Sequence, residues 1–264
     1  NNDNDNSDQL SKVDDYVTLT ITVNSTIEPG GIQIPFVTMA NRNSTGNDPI
    51  IIKNASSDGL AAQGDLVFNA VYRMQEDDAE TDAIEFQVDF SDVAGNPGVS
   101  LATLIGDATG VSFDKTSPDF TNSIGGSSIS ITSDNNYDTG LGTITDVITL
   151  TLTSAEALKA NSKPTVTILD VLANVSADAD NKVFTATHTI TGGEDDNDNS
   201  IEDNEVINFA VSAGYSDPSG NEGTAITQAA AVFDNVTLLT TDGSYVLYDV
   251  TAPTLSPVTA YVIK

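Results

Sequence analysis

The stretch Phe113-Asp114-Lys115-Thr116-Ser117-Pro118 returns as Tyr248-Asp249-Val250-Thr251-Ala252-Pro253. In each copy an aromatic-Asp pair closes a long alternating apolar/polar segment. The Pro four residues after the Asp has no N–H and so forbids further ladder pairing. A stop signal that recurs in this form constrains the chain to at least two copies of one module. Two further pairs agree. Asp15-Tyr16-Val17-Thr18-Leu19-Thr20-Ile21-Thr22 matches Asp146-Val147-Ile148-Thr149-Leu150-Thr151-Leu152-Thr153, and Ser91-Asp92-Val93-Ala94-Gly95-Asn96-Pro97-Gly98 matches Ser216-Asp217-Pro218-Ser219-Gly220-Asn221-Glu222-Gly223. The shift is 131 residues from Asp15 to Asp146, 125 from Asp92 to Asp217 and 135 from Asp114 to Asp249. Such drift is expected when one fold is copied and its surface loops change length.

Cut at Pro118, the 264 residues give units of a size that suits one hydrophobic core each. With 39% hydrophobic residues the chain can build such cores and is not a disordered acidic tail. No apolar run reaches the length of a membrane span, which argues against direct membrane insertion, and no signal peptide is visible at Asn1. The sequence reads as an interior or processed piece. Its 39 acidic and 9 basic residues leave a formal charge of −30, which excludes nucleic acid as a partner, since that binding needs Lys and Arg to neutralise phosphates. Carboxylates this dense call for screening by salt or bound cations. There is no cysteine, so stability must come from core burial or metal rather than disulfides.

Period-2 alternation predicts strands at 16–23, 31–39, 49–53, 66–74, 83–90 and 99–113 in the first unit. In the second unit it predicts 127–132, 147–153, 165–171, 183–190, 206–212 and an interrupted 225–248. The helix-like run 154–160 is too short to be more than a turn. Seven or so short strands per unit argue for an all-β fold of tandem immunoglobulin-like β-sandwiches with Greek-key connections. The expected division is 1–118, a sandwich lacking its first strand; 119–253, a complete sandwich; and 254–264, the first strand of a following or neighbouring module. The second unit opens with an extra strand at 124–132 that the first lacks. The chain closes on a spare one, TLSPVTAYVIK. Lys264 joined to Asn1 reads much like the segment 130–135. The chain is thus one cut through a periodic array, either a tandem polypeptide or a polymer in which the last strand completes the next subunit.

The aromatic-Asp-x-Thr-x-Pro junction and the Asp-x-x-Gly-Asn-x-Gly loop resemble the immunoglobulin-like repeats of giant prokaryotic surface proteins, including bacterial adhesins and archaeal surface-layer proteins. The resemblance covers nearly the whole chain. It implies an extracellular, cell-surface location, a structural role and calcium at module junctions. In an immunoglobulin-type sandwich several loops meet the exit of the last strand. The first junction would gather Asp3, Asp5, Asp8, Glu76, Asp77, Asp78 and Asp114 with Asp217 and Asn221. Asp92 and Asn96 hold the equivalent loop positions of the first unit, and the second junction would gather Asp134, Asp138, Glu194, Asp195, Asp196 and Asp249. An all-oxygen, flexible set suits calcium, which takes about 6–8 oxygen ligands. The competing reading makes the same residues solvated Asx turns. Asp195-Asp196-Asn197-Asp198-Asn199 comes nearest to an EF-hand loop but lacks its Gly and its closing Glu.

His188, the one histidine, has no partner set for zinc or nucleophilic catalysis and reads as a core-facing filler on its strand. Sequons stand at Asn24, Asn43, Asn54, Asn174 and Asn235, about as many as chance gives in a chain this rich in Ser and Thr. They make glycosylation an expectation only in an extracellular setting. Paired carboxylates leave hydrolysis open as an alternative, but 6% aromatics without Trp make a poor sugar platform. The sequence is therefore read as a non-enzymatic module of an extracellular surface layer or filament, joined head to tail to further copies of itself or adjacent repeats. The alternative is a stalk or binding module of a large adhesin, with a glycan or other cell-surface ligand.

Overall fold

The computed structural model describes residues 4, 7, 9–24, 30–45, 50–57, 59–103, 110–192, 194, 203–229, 231–232 and 237–255. The fold is all-β, and the one helical element among the described residues is a 3-10 turn at Ser123–Gly125. Among these residues no helix is long and apolar enough to cross a membrane. The chain divides into two compact units, Asn1–Ser117 with Pro218–Asn221, and Pro118–Asp217 with Glu222–Lys264.

The first unit contains β1 (Leu10–Ser11), β2 (Tyr16–Thr22), β3 (Phe36–Met39), β4 (Arg42–Asn43), β5 (Ile51–Asn54), β6 (Val67–Arg73), β7 (Phe86–Asp89) and β8 (Ser112–Phe113). One sheet runs β2-β6-β5, a second runs β4-β3-β7, and β1 lies parallel to β8. Alternation explains the long pair: Phe68, Ala70 and Tyr72 on β6 are wholly buried, while the residues between them are partly exposed. With Val17, Val37, Met39, Met74, Val88 and Phe113, Ala70 and Tyr72 belong to the unit's core cluster.

The second unit contains β9 (Ser128–Ser133), β10 (Leu141–Gly142), β11 (Val147–Thr153), β12 (Val166–Ile168), β13 (Val171–Leu172), β14 (Asn174–Ala177) and β15 (Val183–Thr189). It continues with β16 (Glu205–Val206), β17 (Phe209–Val211), β18 (Ile226–Gln228), β19 (Ala231–Val232) and β20 (Leu247–Tyr248). Its sheets run β14-β15-β11-β9, β13-β12-β17-β18 and β10-β20-β16-β19. Phe120 is fully buried in the core, edge-on to Phe184 at 6.0 Å and tilted against Tyr215 at 5.1 Å.

The two units share one pairing scheme. β2 on β6 and β11 on β15 are both seven-residue antiparallel pairs, and β1 on β8 and β10 on β20 are both parallel. The tight hairpins β3-β4 and β12-β13 turn through Ala40-Asn41 (φ 50° and 60°) and Leu169-Asp170 (φ 54° and 57°). Both central residues thus have the positive φ that a two-residue turn of the primed type requires. One difference matters. In the second unit β9 flanks β11, and Ile148, Leu150 and Leu152 are 0% exposed. In the first, β2 ends its sheet among the described residues, and Leu19 and Ile21 are only half-buried.

Several expected strands are shorter or split. Segment 165–171 is broken by the Leu169-Asp170 turn, which no Gly announces, and 206–212 breaks between Val206 and Phe209. Of 225–248 the described residues form three short strands. In 99–113 only Ser112–Phe113 is a strand, with Leu101 bridging Val88, and 104–109 lie outside the described residues. The strand expected at 124–132 starts at Ser128, after the 3-10 turn. Of the spare strand, 256–264 lie outside the described residues, and Leu255 just before them is 91% exposed.

Candidate functional site

The two punctuation segments fold alike. After β8, Asp114 donates its N–H to Ser11 O (3.0 Å) and its Oδ1 accepts the N–H of Thr116 (3.0 Å). After β20, Asp249 donates to Gly142 O (2.9 Å) and accepts from Thr251 N (3.2 Å). A distant carboxylate ties down each exit. Glu80 accepts from Lys115 N (3.1 Å) and Thr116 Oγ1 (2.6 Å), and Asp203 accepts from Val250 N (2.9 Å) and Thr251 N (3.3 Å). These bonds hold both carboxyls below their ordinary range, led by the Thr116 hydroxyl for Glu80 and the Val250 N–H for Asp203. Sequence reading missed both residues, because their partners lie 35 to 48 positions away.

The loops that follow β6 and β15 each carry one buried acid. Asp78, 3% exposed, accepts from Tyr72 Oη (2.6 Å), Gln75 N (2.8 Å) and Arg42 Nε (3.2 Å). Arg42 also pairs with Asp77 at 2.8 Å, and bonding to these two acids raises its pKa further. Lys115 Nζ donates to the carbonyls of Glu76 (2.7 Å) and Asp78 (3.0 Å). Glu194, 5% exposed, takes the equivalent place, six residues after His188 as Asp78 is after Tyr72. It accepts from the N–H and hydroxyl of Thr191 and from Gly192 N (2.7 Å), and lies 3.2 Å from His188 Nε2. Burial opposes its ionisation, but the Thr191 N–H and hydroxyl outweigh that and hold its pKa at about 2. The His188 side chain, 11% exposed, thus packs inward as expected of a core-facing residue, but beside an acid that the sequence did not reveal as its partner.

The turn before β2 and β11 is braced twice in the same way. Asp15 Oδ2 accepts from Lys12 N (2.9 Å) and Asn4 Nδ2 (2.6 Å), and Asp146 Oδ2 accepts from Thr143 N (3.0 Å) and Asn135 Nδ2 (2.7 Å). Both were matched as repeat positions from sequence, but neither was among the candidate site residues. Nearby, Asp134 accepts from Val147 N (2.7 Å) and Asp138 from Gly140 N (2.9 Å). Asp92 accepts from Asn96 N (2.8 Å) and Nδ2 (2.6 Å), which lowers its pKa. Within the first unit Asn221 Nδ2 donates to Asp114 O at 3.1 Å. Within the second, the carboxylates of Glu156 and buried Asp217 lie within 4.8 Å of each other. Asp3, Asp5, Asp8, Asp195 and Asp196 lie outside the described residues.

Among the sequons, Asn43 Oδ1 accepts from Thr45 N and Oγ1, both 2.9 Å, and Asn54 Oδ1 from Ser56 N, 2.8 Å. Asn174 is exposed at the start of β14, Asn24 follows β2, and Asn235 lies outside the described residues. No protein-family model matches the chain, and no curated protein compared with it is significantly similar.

Proposed function

We propose that the chain is a non-enzymatic structural module of an extracellular surface layer or filament: immunoglobulin-like sandwiches with Greek-key connections, joined head to tail, with calcium at the junctions. The observation that carries this reading is the repeated architecture, in which two units with one pairing scheme end in the same aromatic-Asp-x-Thr-x-Pro exit tied by a carboxylate. A chain whose described side-chain bonds chiefly brace loops and strand exits is equipped to hold shape. Calcium fits best at the second exit. Loop 76–78 meets Arg42 through the carboxylates of Asp77 and Asp78 and Lys115 through main-chain carbonyls, whereas the corresponding positions of the second unit are Val171 and Val250, in a unit whose sequence 194–205 is rich in Asp and Glu. An external cation would do there what two basic residues do in the first unit.

Electron microscopy of the concentrated chain in millimolar calcium, with and without chelator, tests the reading. Linear or sheet-like assemblies that shorten on chelation are expected. Dispersed particles in both conditions would overturn it, and glycan-array binding by such particles would favour the adhesin alternative.

A further inference from the structure

We infer that the groove beside the second exit, between 135–143 and 249–252, receives the loop 91–98 of a second copy of this chain, as the first exit receives Pro218–Asn221. This rests on the head-to-tail reading and names its contact.

The first unit supplies the template. Its segment Pro218–Asn221 is seated on the exit: Asn4 Nδ2 donates to Ser219 O (2.8 Å), Asn221 Nδ2 to Asp114 O (3.1 Å) and Ser219 Oγ to Asp114 Oδ2 (3.4 Å). Asn4 and Ser219 are both buried there, at 8% and 3% exposure. The second unit builds the same receiving surface. Asn135 braces Asp146 as Asn4 braces Asp15, and Asp249 N bonds Gly142 O as Asp114 N bonds Ser11 O. Here the surface is open. Asn135 is partly exposed and Asp249 exposed, and the groove of about 360 Å³ that they line also presents Tyr137 and Val250, 96% and 45% exposed.

The occupant follows from the loop that carries the same Asp-x-x-Gly-Asn-x-Gly motif. Loops 91–98 and 216–223 share one shape: Gly95 and Gly220 have φ 93° and 91°, Ser91 bridges Pro97 as Ser216 bridges Glu222, and Gly98 N and Gly223 N bond the carbonyls of Phe90 and Tyr215, both at 2.9 Å. In loop 91–98 the matches of Ser219 and Asn221 are Ala94 and Asn96, and both are exposed. A loop already in its bound shape loses little conformational freedom on docking. Laid in the groove as Pro218–Asn221 lies at the first exit, it lets Asn135 Nδ2 donate to Ala94 O and Asn96 Nδ2 donate to Asp249 O. Each amide nitrogen has two hydrogens and uses one inside its own unit, on Asp146 and on Asp92. Ala94 has no hydroxyl to repeat the long Ser219 bond. In exchange, Val93 on the loop, 42% exposed, and Tyr137 and Val250 in the groove give both sides apolar surface to cover. Loop and groove are different surfaces, one on each unit, so the contact is heterologous and repeats from copy to copy.

The chain has no cysteine, so single cysteines report the contact without interference. Ser219 Oγ and Asp114 Oδ2 are 3.4 Å apart at the first exit, which makes Ala94→Cys and Asp249→Cys the matching pair. Mixed in millimolar calcium under mild oxidation, the two variants should form their hetero-disulfide about tenfold or more in excess of either homodimer, because docking raises the local concentration of the two thiols. In sedimentation the unaltered chain should associate as its concentration rises, and Ala94→Glu and Val250→Glu should each weaken association about tenfold or more, since each puts a charge where the contact excludes water. Both side chains are exposed in the free chain, so the fold should be unaffected. Hetero-disulfide at only the statistical yield, with association indifferent to Ala94→Glu, would overturn the contact and leave head-to-tail assembly to another surface. Association lost with Val250→Glu but kept with Ala94→Glu would show that the groove holds a different segment, and would also overturn it. A chain monomeric at every concentration, with no excess of hetero-disulfide, would sink this contact and the head-to-tail reading together.

Discussion

At the residue scale the repeated loop Asp-x-x-Gly-Asn-x-Gly carries two glycines for different reasons. Gly95 and Gly220 sit at φ 93° and 91°, where a side chain is strained. Gly98 and Gly223 sit under an aromatic ring. A Cβ at Gly223 would lie 1.9 Å from Tyr215 Cε2, and one at Gly98 would lie 2.3 Å from Phe90 Cε2. Tyr215 cannot move aside, being 1% exposed, packed on Phe120 and bonded through its hydroxyl to Thr224 O at 2.9 Å. Phe90 is partly exposed and can. Gly223→Ala should cost about 1–3 kcal/mol of overpacking strain and Gly98→Ala distinctly less, as read from denaturant midpoints. Equal costs would mean that Phe90 is as confined as Tyr215. Glu194 gives the pH prediction. Its folded pKa of about 2 lies below the ordinary 4.5, so its contribution is full above pH 4.5 and is lost as pH falls from there toward 2. Glu194→Gln should destabilise the second unit by roughly 1–3 kcal/mol at pH 7 and flatten its stability profile across that window. An unchanged profile would place the acid sensitivity on other carboxylates.

Elements were legible where seven residues alternate without interruption. Tyr16–Thr22, Val67–Arg73, Val147–Thr153 and Val183–Thr189 stand within two residues of the expected bounds, because one buried face dictates every second side chain. What sequence hid is held by bonds between distant residues. β1 and β10 are two residues long and exist by pairing with β8 and β20, about a hundred positions on, a distance at which no local period survives. Asn174–Ala177 is an edge strand whose inner face is only Val175 and Ala177, partly buried against the core, too short a stripe to read as a strand. The candidate site divides in the same way. Asp114, Asp134 and Asp249 bond residues close by or in a paired strand and were singled out from sequence, as candidate metal ligands, whereas Glu80 and Asp203 act across long loops and were not. The unequal burial of β2 and β11 is testable by truncation. Leu152→Ala should cost about 2–5 kcal/mol, as a fully buried Leu does, and Ile21→Ala clearly less in the monomer. Similar losses would mean that the β2 face is already covered.

At the scale of the whole molecule, the charge of −30 sets the conditions under which the fold holds. Self-repulsion among 39 acids weakens any compact state at low salt. With a Debye length of about 30 Å at 0.01 M and about 3 Å at 1 M, sodium chloride alone should raise the thermal midpoint progressively. A calcium site adds something that screening cannot. An ion bound only by the folded form stabilises by about 2.7 kcal/mol at a hundred times its dissociation constant. For units of this size that amounts to a rise of roughly 5–15 °C. The two effects separate by unfolding the chain at fixed ionic strength, with millimolar calcium in one sample and chelator with matched sodium chloride in the other. The calcium sample should melt higher, and the gain should be largest in the second unit, where Val171 and Val250 stand in the places of Arg42 and Lys115. Coincident midpoints would reduce the dense carboxylates to loop braces screened by salt, with no ion of their own.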